Sequence, residues 1–351
     1  MAKHTGKIGV GIVGTGGIAQ GAHLQGWQKL QGDRVELLAA YDVKPEVAKA
    51  AAERFGIPRV CKSLNEMLRM DDVHIVDVCT PNKFHAPQTV PALKAGKHVI
   101  VEKPMAMTVA EARRMCKAAK DARRKLMVAQ SMRFTSESMA LKQFVDEGGL
   151  GRPYYARASA LRRRGIPGWG VFTSKELQGG GPLIDIGVHI LDLTLWLMGF
   201  PEPVSVSGAT MTHIGTRKGV GGMGAWDWRH YTVEDHACGL IRFKTGAVVY
   251  LEASFALNVP QDYFSTHICG TKGGVSSSPL TFVREEYGNL VNSTPQFLPS
   301  MASHHEEIRQ FVECIRRDTP SPVPGEQALI TQKILNGIYE SAESGSEVTV
   351  R

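Results

Sequence analysis

Three ionisable side chains near the middle of the chain recur at the spacing of helical turns. Asp185, His189 and Asp192 occupy positions i, i+4 and i+7, so on an α-helix they share one face. A carboxylate one turn from a histidine orients the imidazole and stabilises its protonated form, which suits a general base. A structural polar pair is the alternative. Three ionisable groups on one stripe of an otherwise apolar segment favour a functional site.

A lysine follows the apolar run HVIV at 98–101 and lies between Glu102 and Pro104. This residue, Lys103, stands where a predicted parallel strand ends, and ligands bind at that edge of a doubly wound sheet. Its ammonium group can donate a hydrogen bond to a reacting hydroxyl and stabilise negative charge that develops on the oxygen. A surface lysine is the alternative, and its two neighbours make that reading less favourable.

A glycine-rich segment with the pattern G-x-G-x-x-A joins the first predicted strand to the first helix, and it comprises Gly14, Thr15, Gly16, Gly17, Ile18 and Ala19. Gly14 permits a tight turn, Gly16 lets the backbone approach a pyrophosphate, and Ala19 allows close helix packing. The amides at the helix start then bind the anion with help from the helix dipole. The pattern predicts a dinucleotide site.

Asp42 ends the second predicted strand, where a carboxylate accepts hydrogen bonds from ribose hydroxyls and repels a 2′-phosphate. Lys44 lies two residues on and softens that repulsion, but no arginine follows directly. We therefore expect NAD to be favoured over NADP. An ordinary loop aspartate is the alternative.

The elements that position these residues alternate along the first part of the chain. Strands are predicted at 7–13, 35–41, near Val60, at 74–80 and at 98–101, with helices at 17–30, 45–55, 64–70, 85–95 and 108–124. Continuous apolar strands with short connections to helices are typical of a parallel sheet covered on both faces. Residues 1–126 are predicted to be an α/β Rossmann domain that binds NAD.

The pattern changes in residues 127–351, which are predicted to be an α+β domain for substrate binding and oligomerisation. Long strands at 152–161, 203–211, 237–244 and 247–257 predict a large, mostly antiparallel open sheet. Helices are predicted at 182–198 and 304–317, and the glycine-rich segment 215–224 reads as a loop.

Composition narrows the class of protein. The chain of 351 residues has 41 basic and 34 acidic residues, and the excess of positive charge is diffuse, which argues against nucleic-acid binding. No run of about 18 uncharged apolar residues predicts a membrane span. Six widely spaced cysteines, together with the absence of a signal-peptide core after Lys7, favour a cytoplasmic protein without a structural metal site. The run Arg162–Arg164 is predicted to lie on a solvated strand or at a subunit contact rather than at the substrate, because successive side chains of a strand point to opposite faces.

Four segments together resemble the Gfo/Idh/MocA family, which includes glucose–fructose oxidoreductase and inositol dehydrogenase. They read CTPNKFH at 79–85, EKP at 102–104, GGGPLIDIGVHILD at 179–192 and EDHACGLIRFKTGAVVYLEASF at 234–255. Their order and spacing cover nearly the whole chain. The resemblance implies that Lys103, Asp185 and His189 are the catalytic residues and also contact the substrate.

The resemblance also implies further contacts. Those to the cofactor come from Thr80, Pro81, Asn82, His85, Glu102, Lys103 and Gln130. Those to the substrate come from Arg133, Trp169 and His230, the last within the cluster at 226–230, whose aromatic residues either stack on a sugar ring or fill the core.

The function implied is hydride transfer between NAD and a ring secondary alcohol of a sugar, cyclitol or sugar derivative. In this reading the substrate binds between the cofactor and the second domain's sheet. Alternatives are a glycosidase that uses NAD transiently, a nucleotide-sugar 3-dehydrogenase, an anhydrofructose-type reductase, and a non-enzymatic sensor of sugars or nucleotides. Because the open sheet has one face to bury, a homodimer or homotetramer is expected.

Overall fold

The computed structural model describes residues 6–32 and 34–351, and the first five residues of the predicted first domain lie outside it. The chain forms two compact units. The first comprises the residues up to Phe134 together with Ala302–Leu329, and the second comprises Thr135–Met301 with Ile330–Arg351. Each unit contains one sheet.

The first unit contains a six-stranded parallel sheet of order β3-β2-β1-β4-β5-β6, which confirms the Rossmann prediction. Its strands are β1 Ile8–Val13, β2 Val35–Tyr41, β3 Arg59–Val60, β4 Val73–Val78, β5 His98–Glu102 and β6 Leu126–Ala129. Its first five helices are α1 Leu24–Leu30, α2 Pro45–Phe55, α3 Leu64–Leu68, α4 His85–Lys94 and α5 Val109–Ala122. Strand β1 is buried along its whole length, as its unbroken apolar sequence predicts.

Local chemistry explains these boundaries. Helix α2 begins at Pro45, whose missing N–H is not needed in the first turn, and ends before Gly56, which adopts the left-handed conformation with φ +68°. Helix α5 begins with a reciprocal capping box, in which Thr108 and Glu111 bond each other's backbone amides. The predicted limits of α2 are confirmed to the residue.

The second unit contains a nine-stranded sheet of order β14-β13-β12-β11-β7-β10-β9-β8-β15, in which only β7 and β10 pair in parallel among the described strands. Its strands are β7 Pro153–Leu161, β8 Pro203–Met211, β9 His236–Phe243, β10 Val248–Ser254, β11 Tyr263–Gly270, β12 Gly273–Ser277, β13 Leu280–Glu286, β14 Asn289–Ser293 and β15 Val348–Thr349. The mostly antiparallel open sheet is thereby confirmed. The β9–β10 turn at 244–246 places Gly246 at φ +83°, where glycine carries no steric penalty.

The helices that accompany this sheet include α6 Ser136–Asp146, α7 Lys175–Gln178 and α8 Val188–Leu197. Helix α8 packs on β7 and β11. A π-helical turn, Leu183–Gly187, leads directly into α8. Such turns have i→i+5 hydrogen bonds and often occur at functional sites.

The last two helices are α9 Ser303–Arg317 and α10 Gly325–Ser344. The sequence assigned 304–317 to the second domain, whereas the structure groups α9 with the first unit. The physical reason is packing: Ile308 and Phe311 are fully buried in the core of the first unit. A Cβ atom on Gly26 of α1 would lie 2.7 Å from Ile308, so that glycine permits the close approach of α9.

One segment, Lys175–Leu197, is long and apolar enough to cross a membrane by composition. Of its most apolar window, 83% is buried inside the protein, as in the core helix of a globular domain. Asp185 and Asp192, which interrupt the run of apolar residues, explain why the sequence did not predict a span there.

Candidate active site

The predicted dinucleotide loop follows β1. Gly14 has φ +82°, and a Cβ atom there would lie 2.7 Å from the Thr80 side chain, so both conformation and packing require glycine. Gly16 and Gly17 have no atom within 4 Å of a Cβ position, so their backbone faces open space at the start of the following helix. Ile18 is exposed, whereas Ala19 is fully buried. This arrangement fits a pyrophosphate group at the helix start.

The Asp42 carboxylate is held in a fixed orientation at the end of β2. Its Oδ2 accepts the backbone N–H of Thr15 at 2.8 Å, and its Oδ1 accepts the N–H of Lys44 at 2.9 Å. Oδ2 also accepts the Thr15 hydroxyl at 3.3 Å, and Oδ1 has a further lone pair for a ribose hydroxyl. The buried amide of Gln130 offers another feature that suits a cofactor, since its Oε1 has no hydrogen-bond partner among the described residues. The residues present therefore fit a dinucleotide.

A buried hydrogen-bonded group that the sequence did not predict lies behind Lys103. We call it the His23 network; it comprises His23, Trp27, Asp77 and Glu102. His23 Nδ1 lies 2.9 Å from Asp77 Oδ2, and its Nε2 lies 2.9 Å from Glu102 Oε1. The Trp27 indole donates to Asp77 at 2.7 Å. Glu102 Oε2 accepts the backbone N–H of Lys103 at 3.0 Å, which ties the network to the predicted catalytic lysine.

The two ring nitrogens of His23 both face carboxylates, so the geometry matches an imidazolium that donates twice. Burial opposes this charge, but the Asp77 carboxylate raises the pKa of His23 well above its ordinary value. Burial likewise opposes ionisation of Glu102, but the hydrogen bond and charge of His23 lower its pKa to about 2. Glu102 is therefore a buried carboxylate whose side chain orients the Lys103 backbone. Its contact with the cofactor stays a prediction.

The loop after β4 contains the other residues predicted to lie near the nicotinamide. His85 is buried, and its ring nitrogens lie 2.8 Å from Pro104 O and 2.7 Å from Thr80 O. Burial lowers its pKa despite these two carbonyls. The ring thus ties together the ends of β4 and β5, and both of its nitrogens are engaged by protein. Pro81 is half-buried and Asn82 is buried in the same loop.

Asp185 lies in the π-helical turn and His189 in the first turn of α8. Within residues 181–195 these two side chains alone are partly exposed, and every other residue is buried. Asp192, predicted on the same stripe, is 1% exposed and belongs to the core. Asp185 and His189 are therefore the accessible residues of an otherwise buried segment, and Asp192 does not lie with them at the surface.

Three glycines, Gly179 to Gly181, precede this pair in the sequence. Packing explains two of them. A Cβ atom on Gly180 would lie 2.0 Å from the Tyr339 hydroxyl, and one on Gly181 would lie 2.5 Å from the carbonyl oxygen of Glu234. Protein atoms already occupy that space, so these glycines are required by packing within the second unit.

The predicted substrate contacts differ in accessibility. Arg133 is 1% exposed and its guanidinium donates to Gln327 at 2.7 Å, so it is part of the interior of the first unit. Trp169 is 56% exposed and can offer a ring face. Trp226 is buried and its indole donates to Gly215 O, so it packs against the glycine-rich loop. His230 is exposed and pairs with Asp227 at 2.7 Å.

Comparison with known proteins decides the family. The model of an oxidoreductase family with an NAD-binding Rossmann fold, Gfo/Idh/MocA, matches residues 8–130, and the model of its C-terminal alpha/beta domain matches residues 142–350. The chain belongs to the Gfo/Idh/MocA family. The resemblance of its four motifs is thereby confirmed.

Members of the Gfo/Idh/MocA family with similar sequences act on sugars. The chain is 38% identical to D-glucoside 3-dehydrogenase of Escherichia coli over 348 residues, 99% of each chain. It is 32% identical to levoglucosan dehydrogenase of Pseudarthrobacter phenanthrenivorans over 67% of this chain and 63% of that protein. A solved structure of levoglucosan dehydrogenase in complex with NADH superposes with a TM-score of 0.85 at 25% identity, covering 98% and 99% of the two chains. The protein is therefore a nicotinamide-dependent oxidoreductase that acts on a ring CH–OH group of a sugar-type substrate.

Proposed function

We propose that the protein oxidises a ring hydroxyl of a D-glucoside, with the hydroxyl on ring carbon 3 as the reacting group. The observation that supports this most is the partly exposed Asp185–His189 pair on a buried helix, in a chain 38% identical over its length to a glucoside 3-dehydrogenase. A glucoside has no free anomeric hydroxyl, so oxidation at a ring carbon must occur at one of the secondary alcohols on carbons 2, 3 and 4. This reaction needs a base and a donor at one oxygen.

The chain supplies both groups in this proposal. His189 removes the hydroxyl proton, and Asp185 stabilises the imidazolium that results. Lys103 donates a hydrogen bond to the same oxygen and stabilises its developing negative charge. Bound nicotinamide supplies the hydride acceptor, while the protein binds and orients the substrate. In the reverse direction His189 returns the proton.

We propose NAD as the cofactor. The support is Asp42, whose carboxylate is fixed at the end of β2 by two backbone N–H groups. A charge held in place repels a 2′-phosphate more effectively than one on a mobile side chain. Lys44 contributes its backbone N–H to this arrangement.

We further propose that the chain assembles through the open face of its nine-stranded sheet, as a homodimer or homotetramer in the cytoplasm. Tyr155, Tyr250 and Tyr263 share the face opposite α8, and Tyr155 is 40% exposed. An extended face with several aromatic side chains is typical of a protein interface. All six cysteines are unpaired thiols, as expected in a reducing compartment.

The test is a substrate screen at 340 nm with NAD or NADP. The panel contains methyl and aryl D-glucosides, levoglucosan, free glucose and myo-inositol. The proposal expects NADH formation with glucosides and NAD, and much slower reaction with myo-inositol. Release of the aryl group without NADH would instead identify a glycosidase, and the absence of any turnover with glucosides would reject the substrate assignment.

A further inference from the structure

Glu234 is a buried residue that lies two positions before β9 and contacts the start of the segment bearing Asp185 and His189. Glu234 Oε2 accepts the backbone N–H of Gly181 at 2.9 Å, and Oε1 accepts the N–H of Leu183 at 3.2 Å. The Tyr339 hydroxyl donates to Oε1 at 2.8 Å. Three donors thus converge on one carboxylate that is 7% exposed.

These bonds meet a specific need of the backbone. The first N–H groups of a helix have no acceptor within the helix. Residue 182 is a proline and has no N–H, so the donors that flank it are the amides of Gly181 and Leu183. Glu234 accepts both. Breaking these bonds would remove the carboxylate that the two amides share.

Packing around the carboxylate is equally restrictive. Gly180 contacts Tyr339 so closely that no side chain fits, and Gly181 lies against the Glu234 backbone in the same way. The Tyr231 hydroxyl donates to the Glu234 carbonyl oxygen at 2.9 Å, which fixes the residue from its other side. The start of the turn is therefore fixed by the hydrogen bonds of Glu234 and by the close packing of Gly180 and Gly181.

We propose that Glu234 is a positioning residue for the catalytic pair: by accepting the N–H groups of Gly181 and Leu183, it fixes the π-helical turn and hence the directions of Asp185 and His189. The inference rests on the proposed roles of these two residues. Burial raises the pKa of Glu234, and the three hydrogen bonds oppose that shift and favour the carboxylate.

The substitution Glu234→Gln tests this directly. An amide has one oxygen and one NH₂ group, so in either orientation the NH₂ group faces a backbone N–H donor and one bond is lost. We expect kcat to fall by about tenfold or more with KM changed by less than about threefold, because a small misplacement of catalytic groups costs rate. Tyr339→Phe retains both backbone bonds to Glu234 but removes a hydroxyl that faces the amides of Gly181 and Ile184, so its kcat should fall by less than that of Glu234→Gln.

A matched control lies in the same sheet. Glu252 is 8% exposed and accepts three hydrogen bonds, two from Arg157 and one from Ser159, but it contacts neither Gly181 nor Leu183. Glu252→Gln should lower thermal stability without lowering kcat. If both variants reduce kcat equally, the effect of Glu234 is general destabilisation and the inference is wrong.

Hydrogen exchange measured by mass spectrometry supplies a readout that does not depend on activity. In Glu234→Gln the amides of residues 181–189 should exchange at least about tenfold faster, whereas Glu252→Gln should leave them unchanged. Unchanged exchange at 181–189 in a folded Glu234→Gln protein overturns the inference. If that variant does not fold, Glu234→Asp carries the same test, with a smaller loss of protection expected in the same segment. Inactivity of the unmodified protein on glucosides would reject the proposed function while leaving the exchange result valid.

Discussion

Replacing Glu102 by glutamine tests the electrostatic account of the His23 network. The pKa of Glu102 is lowered from 4.5 to about 2, which corresponds to about 3 kcal/mol of unfolding free energy at neutral pH. Because the folded pKa is the lower one, this stability is present above pH 4.5 and is lost as the pH falls through 2. By pH 3.5 about 1 kcal/mol of it should already be lost.

Glu102→Gln removes the titrating group and leaves His23 with one carboxylate, so at pH 7 the variant should be less stable by about 3 kcal/mol. The difference between the two proteins should then narrow by about 1 kcal/mol between pH 7 and pH 3.5. Urea unfolding followed by tryptophan fluorescence measures both quantities, and the buried Trp27 lies within the network. A difference that does not change with pH would refute the ion-pair interpretation.

Glu307 provides a control in which the pKa is shifted in the opposite direction. It is fully buried on α9, and burial raises its pKa well above the ordinary value. A carboxyl group with a raised folded pKa destabilises the protein as the pH rises above its unfolded value. Glu307→Gln should therefore increase stability at pH 7, with a gain that shrinks towards pH 4. A loss of stability at pH 7 would contradict this reasoning.

Three further predictions concern activity and assembly. His189→Ala should reduce turnover by about a hundred- to ten-thousand-fold, while NADH affinity, measured by fluorescence, stays near normal. In the unmodified enzyme the rate of oxidation should rise with pH, because the base must be neutral, and the rate of reduction should fall. Asp42→Ser should reduce the ratio of NAD affinity to NADP affinity, measured by calorimetry, by about tenfold or more, because the repulsive charge is lost. Tighter binding of NADP than of NAD by the unmodified protein would reject the assignment of NAD. Light scattering at micromolar concentration should give a dimer or tetramer, and a monomer would exclude the proposed interface.

The parallel sheet could be predicted from the sequence because its signals are local. Apolar runs give β1 and β2, and Pro45 and Gly56 mark the two ends of α2. The strands β11 to β14 were not predicted; β14 is mostly exposed, and its sequence NLVNS lacks a clear alternation of polar and apolar residues. Helix α10 was also missed, and it contains Gly337 near its middle, where a Cβ atom would lie 2.9 Å from Val206.

The site was predicted in part for the same reason. Asp185 and His189 are close in sequence, so their common exposure follows from helical spacing. The partners of His23 are 54 and 79 residues away and meet because β4 and β5 are neighbours in the sheet. One signal was available, namely Asp77 inside the apolar run HIVDVCT, because a carboxylate in a central strand needs a partner.

The central claim is that hydride leaves a ring carbon of the substrate for the nicotinamide. The most direct measurement uses methyl D-glucoside with deuterium at ring carbon 3 and determines the isotopic mass of the reduced cofactor. The account predicts singly deuterated NADH and a 3-keto product that has lost the label. Unlabelled NADH, with deuterium retained in the sugar, would contradict oxidation at that carbon, and product formation without any reduced cofactor would contradict net hydride transfer.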